Sequence, residues 1–303
     1  MDRATTHCSR PEVIDLISVV FEPELILLEI QARSIELYIP HKKISNIIVV
    51  VNDADRVADK IQSAWWGINQ QKVKIITRSQ IGVFSNLDGW SSQQLYKLAA
   101  ATVASSQWSM CLDSKTWFVQ NLDWHKLFDE QGRANFKSFK CMPAFDSALE
   151  FSKKFFNIEF ENVIGPGGVP FLFHTNTVHD MVNYIEQKTG KKFLDFFANS
   201  LLDPHRLTEF VLYSAYVSYA NTYNYLYSDN QHYRITNLAD WQLDNFPSII
   251  ENMKLSDNLT ASVQGKAYRL LTDYQLDVWI QFLLTAQLTT DTENTKNLLN
   301  TLR

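Results

Sequence analysis

The chain has 303 residues, of which 46% are hydrophobic and 20% charged, so it can bury a sizeable core. Its formal net charge of -5 argues against a general nucleic-acid-binding protein, because such proteins normally carry a basic surplus. The three cysteines are widely spaced and form no C-x-x-C pair, which argues against a disulfide framework and a structural zinc site.

Four apolar runs in the first 120 residues are typical of buried strands. Ile14–Phe21 and Ile44–Val51 are almost continuously apolar, as central parallel strands are. Lys72–Thr77 and Trp108–Leu112 are shorter runs of the same kind. Because helical spacing separates the strands, the alternation predicts an α/β fold with a mostly parallel central sheet flanked by helices.

Three helices are predicted between these strands. The first begins at Glu22-Pro23-Glu24 and runs towards Pro40, since proline fits a first turn and acidic side chains suit the helix dipole. Residues 54–66 also have helical spacing. Between 91 and 103, apolar residues recur on one helix face, and Ser91 or Ser92 is the expected N-cap.

The second half of the chain is less regular. Asp203-Pro204 is predicted to begin a helix that ends near Tyr219, and Gly165–Gly168 is expected to form a flexible loop. The tail after Thr289 is expected to fray. Further helices are predicted at 149–156, 177–188, 193–202 and 273–288, and strands at 134–142, 169–174, 235–241 and 259–264.

A charged triplet, Asp113-Ser114-Lys115, follows the fourth strand. In α/β folds the carboxyl ends of strands carry ligand sites, so this triplet is the strongest functional signal in the residues themselves. The chain has no G-x-G-x-x-G after its first strand and no G-x-x-x-x-G-K-[ST], which disfavours a dinucleotide-binding Rossmann domain and a P-loop NTPase. The residues alone indicate a nucleotide- or phosphate-binding α/β protein.

Three motifs resemble those of a known family. Residues 89–98 have the pattern G-W-x-x-Q-Q-x-x-K-L and are followed by L-D-S-K at Leu112–Lys115, and T-E-x-x-L-Y occurs at Thr208–Tyr213. Together with the order of elements, these motifs resemble GT-A-fold glycosyltransferases, and more narrowly a little-characterised bacterial and phage family of presumed glycosyltransferases. The resemblance covers residues 13 to 285.

The resemblance implies one GT-A-like domain over residues 1–303. Residues 12–120 would form its nucleotide-binding half, 121–245 its acceptor-side half and 246–303 a helical C-terminal closure. It also implies transfer of a sugar from a nucleoside-diphosphate donor, with a UDP-sugar favoured, to a hydroxyl of a saccharide or surface glycan in polysaccharide biosynthesis. The alternatives are a non-catalytic relative that binds a glycan or a partner, and a nucleotidyltransferase.

The partners and location follow from the same reasoning. We expect a donor and a saccharide acceptor but no nucleic acid, and the sequence does not indicate an oligomeric state. No window approaches the ~20 apolar residues of a membrane span. The first residues also lack the apolar run of a signal peptide, so we expect a soluble cytoplasmic protein.

The triplet departs from the D-x-D pattern of the family at Lys115. In that fold the acids of the triplet contact the donor ribose and hold a divalent cation on the diphosphate. In an extended segment Asp113 and Lys115 point the same way, and an ammonium there would repel a metal ion and could meet the diphosphate directly. Alternatively, Asp113 and another acid hold Mg or Mn while Lys115 turns aside.

Further donor-binding candidates come from position and from the resemblance. Asp113 is a candidate for ribose or metal, with strand-end capping as its alternative, and Lys115 is a candidate for phosphate, with a salt bridge or a solvated lysine as its alternative. Phe21, Asn52, Asp53 and Arg78 lie at strand ends, although Asp53 could equally cap the next helix.

The helix after Gly89 supplies three more donor candidates. Gln94 and Lys97 share a helix face, which would point into the donor cleft or form a polar solvent face. Trp90 would close over the donor or pack at the helix entry.

Four residues are candidates for the acceptor side. Glu209 is a candidate general base for an inverting reaction, and its alternative is a first-turn acid stabilised by the helix dipole. Asp146 is the rival base. Tyr213 shares the helix face of Glu209 and would contact sugar, and His174 would touch the acceptor or the diphosphate unless it is a core histidine.

Overall fold

The computed structural model describes residues 10–84, 86–136, 138–164, 169–202, 204–222, 224–227 and 233–302. Its strands are β1 (Ile14–Val20), β2 (Ile44–Val51), β3 (Val73–Thr77), β4 (Trp108–Asp113), β5 (Thr116–Phe118), β6 (Ala134–Phe136), β7 (Ser138–Lys140), β8 (Asn162–Ile164), β9 (Phe171–His174), β10 (Tyr225–Tyr227), β11 (Arg234–Leu238) and β12 (Asn258–Val263). Its helices are α1 (Leu25–Tyr38), α2 (Arg78–Ile81), α3 (Gly89–Thr102), α4 (Trp124–Leu127), α5 (Asp146–Phe156), α6 (Thr175–Thr189), α7 (Phe193–Ser200), α8 (Glu209–Ala220), α9 (Phe246–Met253), α10 (Gly265–Leu270), α11 (Asp273–Thr285) and α12 (Thr292–Asn300).

The central sheet has the strand order β3-β2-β1-β4-β9. Strands β2 and β3 are parallel, with Val49 opposite Ile75, whereas β4 and β9 are antiparallel, with Met110 opposite Leu172. A smaller sheet has the order β11-β12-β5, and β6 pairs with β10 and β7 with β8. The predicted α/β class, with a mostly parallel central sheet flanked by helices, is confirmed.

The four predicted strands of the first 120 residues are all present. Every residue of β1 is buried, and so are the last five residues of β2. Continuous burial of this kind is what a strand covered on both faces requires, which is why the apolar runs located these strands to within one residue.

The chain forms two compact units, each assembled from separate segments. The first unit contains Met1–Ile17, Ile81–Cys111 and Asp123–His232, and the second contains Ser18–Gln80, Leu112–Leu122 and Tyr233–Arg303. In the second unit the largest core side chains include Trp117, Tyr268 and Trp279. The division into segments 12–120, 121–245 and 246–303 remains a prediction.

The predicted helix over 54–66 is wrong. Two 3-10 segments, Asp55–Lys60 and Ser63–Lys72, occupy this region. Between these segments Ile61 (φ -86°, ψ 118°) and Gln62 (φ -99°, ψ 116°) are extended, so no continuous helix spans the predicted range. Helical spacing of apolar residues did not reveal this break.

Two helix starts differ from the predictions. The side chain of Asp88, rather than Ser91 or Ser92, caps α3, and its Oδ1 accepts from Ser91 N at 2.7 Å. Helix α8 begins at Glu209 instead of Pro204, because the Thr208 hydroxyl caps it. Asp203 and the predicted loop at Gly165–Gly168 lie outside the described residues.

The C-terminal region is more ordered than predicted. Residues after Thr289 form α12 instead of fraying, and Leu299 is fully buried in the core of the second unit. Helices α9 and α10 were not predicted. The helical character of the closure is therefore confirmed, and none of the helices in the described residues combines the length and apolar composition that crossing a membrane requires.

Candidate functional site

Three side chains of the second unit meet just beyond the carboxyl ends of β1 and β4, and we call them the strand-end cluster: Glu24, Ser114 and Lys115. Glu24 Oε2 accepts a hydrogen bond from Ser114 Oγ at 2.5 Å. Glu24 Oε1 lies 3.6 Å from Lys115 Nζ. The lysine and glutamate side chains are 20% and 19% exposed, so a ligand from solvent can reach this pair.

The turn that carries the charged triplet is held by one buried glutamine. Gln31 of α1 is fully buried, and its Nε2 donates to Asp113 O at 2.5 Å and Thr116 O at 2.8 Å. Its Oε1 accepts from Ser18 Oγ at 2.5 Å. Both hydrogen bonds that Gln31 donates to this turn end on backbone carbonyl oxygens. Gln31 therefore fixes the backbone path of residues 113–116. Asp113 belongs to this fixed turn and is partly exposed.

Asp53 joins the ends of two neighbouring strands. Its Oδ2 accepts from Glu22 N at 3.1 Å and its Oδ1 from Ala54 N at 3.2 Å. The backbone of Asn52 donates to Val20 O at 2.9 Å, and Asn52 is buried. Asp53 therefore makes local backbone contacts of the capping kind, and these contacts keep the strand ends in register.

The other two strand-end candidates are partly accessible. Phe21, directly after β1, and Arg78, directly after β3, are both partly exposed. The structure thus places Phe21, Asn52, Asp53, Arg78, Asp113 and Lys115 at strand ends of the second unit, as the sequence predicted.

The residues present do not fit a conventional divalent-metal site. Within the described ranges, no three His, Cys, Asp or Glu side chains lie close enough together to hold a metal ion. The carboxylate of Glu24 already pairs with the Lys115 ammonium. A divalent cation at this turn would lie close to the Lys115 ammonium. Its ligands would have to offset the repulsion between these two positive charges.

A second group of candidates lies in the first unit, and we call it the buried cluster: Gln94, Lys97 and Glu209. Lys97 Nζ lies 3.2 Å from Glu209 Oε1, and the two side chains are 4% and 0% exposed. Turning the Gln94 amide lets its NH2 group donate to both Glu209 carboxylate oxygens. The lysine also lies 5.3 Å from the centre of the Phe210 ring.

This burial excludes one of the two alternatives for the helix face of α3, and the donor-cleft alternative remains a prediction. Gln94 and Lys97 do share one face, but it is packed inside the first unit and is not a solvent face. Glu209 is the first residue of α8, and its carboxylate is paired with an ammonium within the protein. By contrast, the rival base Asp146, at the start of α5, is exposed, and Trp90 is 41% exposed.

His174 and Tyr213 form a buried network in the first unit. Tyr213 OH accepts from His174 N at 3.0 Å and lies 2.6 Å from Tyr225 OH. Asn224 Nδ2 donates to His174 Nδ1 at 3.0 Å, and burial lowers the pKa of His174 to about 4. His174 is therefore a neutral imidazole that accepts a hydrogen bond at Nδ1, as is typical of a core histidine.

Sequence reasoning missed three residues of the strand-end arrangement. Glu24 was assigned only to the helix start, Ser114 was treated as the spacer of the triplet, and Gln31 was not considered. Gln31 carries a detectable signal, because it is a polar residue on the apolar face of α1 beside the buried Leu27 and Leu28. A polar side chain in such a position must find partners in the protein.

The solved structures that are similar to this chain include two of the galactosyltransferase LgtC. The galactosyltransferase LgtC in complex with donor and acceptor sugar analogs is 13% identical, with 95% of each chain covered and a TM-score of 0.44. An active-site mutant of LgtC is 11% identical, with 93% of this chain and 100% of that chain covered and a TM-score of 0.46.

Comparison with curated proteins gives no match. A family match, in contrast, extends from residue 20 to residue 254, which is most of the chain and includes both the strand-end cluster and the buried cluster. The chain therefore belongs to the Family of unknown function (DUF6492).

Proposed function

We propose that the protein is a glycosyltransferase that moves a sugar from a nucleoside-diphosphate donor, with a UDP-sugar favoured, to a hydroxyl of a saccharide acceptor. The observation that carries the proposal is a partly exposed lysine at the carboxyl end of a central strand, held by a built set of partners. The resemblance of residues 89–115 and 208–213 to GT-A-fold glycosyltransferases supports it.

The strand ends of the second unit supply the donor contacts. Lys115 presents an ammonium to the diphosphate, and Asp113 on the same turn accepts from the ribose hydroxyls. Phe21, Asn52 and Arg78 border the nucleotide at the neighbouring strand ends. Gln31 keeps the turn in place, so these contacts form without reordering of the backbone.

The chemistry is substitution at the anomeric carbon of the donor. The acceptor oxygen forms a bond to this carbon while the bond from the carbon to the diphosphate oxygen breaks, and the negative charge that develops on the diphosphate is stabilised by Lys115. The hydroxyl proton passes to a carboxylate. Asp146 is the better candidate for this base because it is exposed, whereas Glu209 would have to leave its ion pair with Lys97.

No step of this proposal passes through a metal ion, since the residues around Lys115 do not fit one. In a metal-dependent relative, the cation neutralises the leaving diphosphate. Here Lys115 would supply that positive charge. The proposal therefore predicts that nucleotide binding survives EDTA.

The first test is nucleotide binding by thermal shift and calorimetry. UDP, GDP, CMP, dTDP and their sugars are each measured in EDTA and in Mn. One nucleotide is expected to raise the melting temperature in EDTA, because a ligand that binds only the folded state stabilises it. Binding that requires Mn would contradict the metal-free site.

The matched variants are Lys115→Ala and Lys254→Ala. We expect Lys115→Ala to weaken nucleotide binding by about tenfold, which corresponds to about 1.4 kcal/mol for one charge-assisted contact. Lys254, an exposed lysine paired with Glu251 in the same unit, is expected to be dispensable. If no nucleotide binds the wild-type protein, the donor site and the proposed transferase are both wrong; binding without transfer indicates a non-catalytic relative.

A further inference from the structure

Glu24 holds the positively charged side chain to which the donor diphosphate would bind. Its Oε1 is the acidic partner of Lys115, at 3.6 Å, and both side chains retain about a fifth of their exposure. A carboxylate and a phosphate offer an ammonium the same kind of partner, namely negatively charged oxygen. The Glu24 carboxylate and a donor phosphate cannot both occupy the same position next to the Lys115 ammonium.

We infer that Glu24 is an internal substitute for the donor phosphate: it pairs with Lys115 when no nucleotide is present, and the diphosphate displaces it on binding. The inference rests on the proposed nucleotide-sugar donor, because it assigns the exchanged ligand to a phosphate group. It adds a residue that tunes donor affinity and product release, and that does not itself react.

The distance favours exchange. Charge-assisted hydrogen bonds between an ammonium and a carboxylate usually have N···O distances of about 2.7–2.9 Å, and the Glu24–Lys115 separation of 3.6 Å exceeds this range. Ion pairs that solvent reaches contribute about 0–1 kcal/mol. Lys115 can therefore leave Glu24 at a small cost.

Glu24 also has a second partner that does not depend on Lys115. Its other carboxylate oxygen accepts from Ser114 Oγ at 2.5 Å, and Ser114 is fully buried in the turn that Gln31 fixes. After the lysine turns to a phosphate, the carboxylate keeps this hydrogen bond and its access to solvent. Exchange thus leaves no buried charge without a partner, which is the condition that makes such a movement inexpensive.

The exchange has a kinetic consequence for the proposed reaction. When the sugar has been transferred, the nucleoside diphosphate remains on Lys115 with its full negative charge. A carboxylate that is ready to take the lysine back lowers the barrier to release of this product. In the absence of nucleotide the same carboxylate reduces the fraction of protein with Lys115 available, and this lowers the apparent donor affinity.

The test is Glu24→Gln, measured by titration with UDP in EDTA and, in the transfer assay, by inhibition with UDP. Glutamine can still accept from Ser114 Oγ but no longer carries the charge that holds Lys115. UDP binding is expected to tighten by about fivefold, the size expected for loss of one partly exposed ionic competitor, and the UDP inhibition constant should fall by the same factor.

The matched control is Glu22→Gln. Glu22 lies two residues earlier in the same 3-10 segment and pairs with Lys60 instead of Lys115. If the gain came from net charge alone, both variants would bind UDP more tightly. We expect a change of less than about twofold for Glu22→Gln, and a steeper decrease of UDP affinity with added salt for Glu24→Gln.

A double variant completes the design. In the Lys115→Ala background, Glu24→Gln should give no gain in UDP affinity, because the competition acts on the lysine. Weaker UDP binding by Glu24→Gln, or an unchanged affinity, would overturn the inference while leaving the proposed transferase intact. If the wild-type protein binds no nucleotide, the proposed function and this inference fail together.

Discussion

The two units each contain a lysine–glutamate pair, and the pairs differ in what surrounds them. In the strand-end cluster, Lys115 and Glu24 are 3.6 Å apart and about a fifth exposed. In the buried cluster, Lys97 and Glu209 are 3.2 Å apart and 4% and 0% exposed. The residue types are the same, so the difference in burial decides what each pair can do.

Because they are buried, Lys97 and Glu209 cannot exchange each other for another partner at low cost. An ion in the protein interior has lost its hydration, and separating it from its partner leaves an uncompensated charge. Lys97 and Glu209 therefore stabilise the first unit only as a pair. Lys115 can exchange Glu24 for water or for a ligand at little cost, which suits a binding site.

The largest expected effect comes from breaking the buried pair. Glu209→Gln should lower the free energy of unfolding by about 3–5 kcal/mol, because it leaves Lys97 buried without its counter-charge. Urea unfolding measures this loss. Glu24→Gln should cost less than about 1 kcal/mol, since its lysine remains partly in water.

A second variant separates this structural role from a catalytic one. Adding Lys97→Met to Glu209→Gln removes the unpaired charge and should restore most of the lost stability. If Glu209→Gln unfolds like the wild-type protein but has lost sugar transfer, Glu209 is a catalytic base and the comparison of the two pairs is wrong.

The next largest expected effect is a loss of stability at low pH. Burial lowers the pKa of His174 to about 4 from the ordinary 6.5, so the unfolded chain binds a proton at higher pH than the folded protein. The stabilisation is complete above pH 6.5 and is lost as the pH falls from 6.5 to 4, in total about 3 kcal/mol.

The measurement is the free energy of unfolding across this pH range. His174→Gln should flatten its decrease, since no imidazole then titrates. The matched variant is His179→Gln, which removes an exposed histidine in the second turn of α6 and should leave the acid sensitivity in place. An equally steep decrease in His174→Gln would show that another group causes it.

A smaller effect on stability, and the most informative one for the strand-end cluster, is expected for Gln31→Leu. The variant loses two donors to the carbonyls of Asp113 and Thr116, and unfolding should become easier by about 2 kcal/mol. Because the turn loses its fixed path, UDP affinity should fall as well.

Ser34→Ala is the matched variant for this experiment. Ser34 is a buried residue of the same helix, and its hydroxyl accepts from Phe118 N at 3.1 Å, beyond the turn. It should destabilise the protein and leave UDP affinity unchanged. Equal losses of affinity in both variants would mean that Gln31 acts only through stability.

Local pattern was sufficient for much of the fold. Strands β1 to β4 were predicted because burial on both faces requires continuous apolar residues. The run Val49–Val51 is an example of such a buried strand segment. The misplaced helix boundaries have one cause, which is that the spacing of apolar residues does not specify where a segment starts or ends. Ile61 and Gln62 are extended in the middle of the predicted helix over 54–66, and the Thr208 hydroxyl caps α8 four residues beyond Pro204.

The candidate site was predictable only in part. Asp113, Lys115 and Asp53 follow apolar runs, so their position at strand ends could be derived from the sequence. Glu24, in the 3-10 segment before α1, and Gln31 of α1 reach the same turn through tertiary contacts between residues 82 to 90 positions apart along the chain. Periodicity describes one element at a time and gives no information about such contacts.

The interleaved composition of the units has a consequence for synthesis of the protein. The second unit begins with Ser18–Gln80 and is completed by Tyr233–Arg303, so its core cannot close until the last segment has left the ribosome. Leu27, Ile30 and Trp117, which are buried in this core, remain without their final partners throughout that time. We therefore expect chaperone dependence during translation and poor recovery of C-terminally truncated chains.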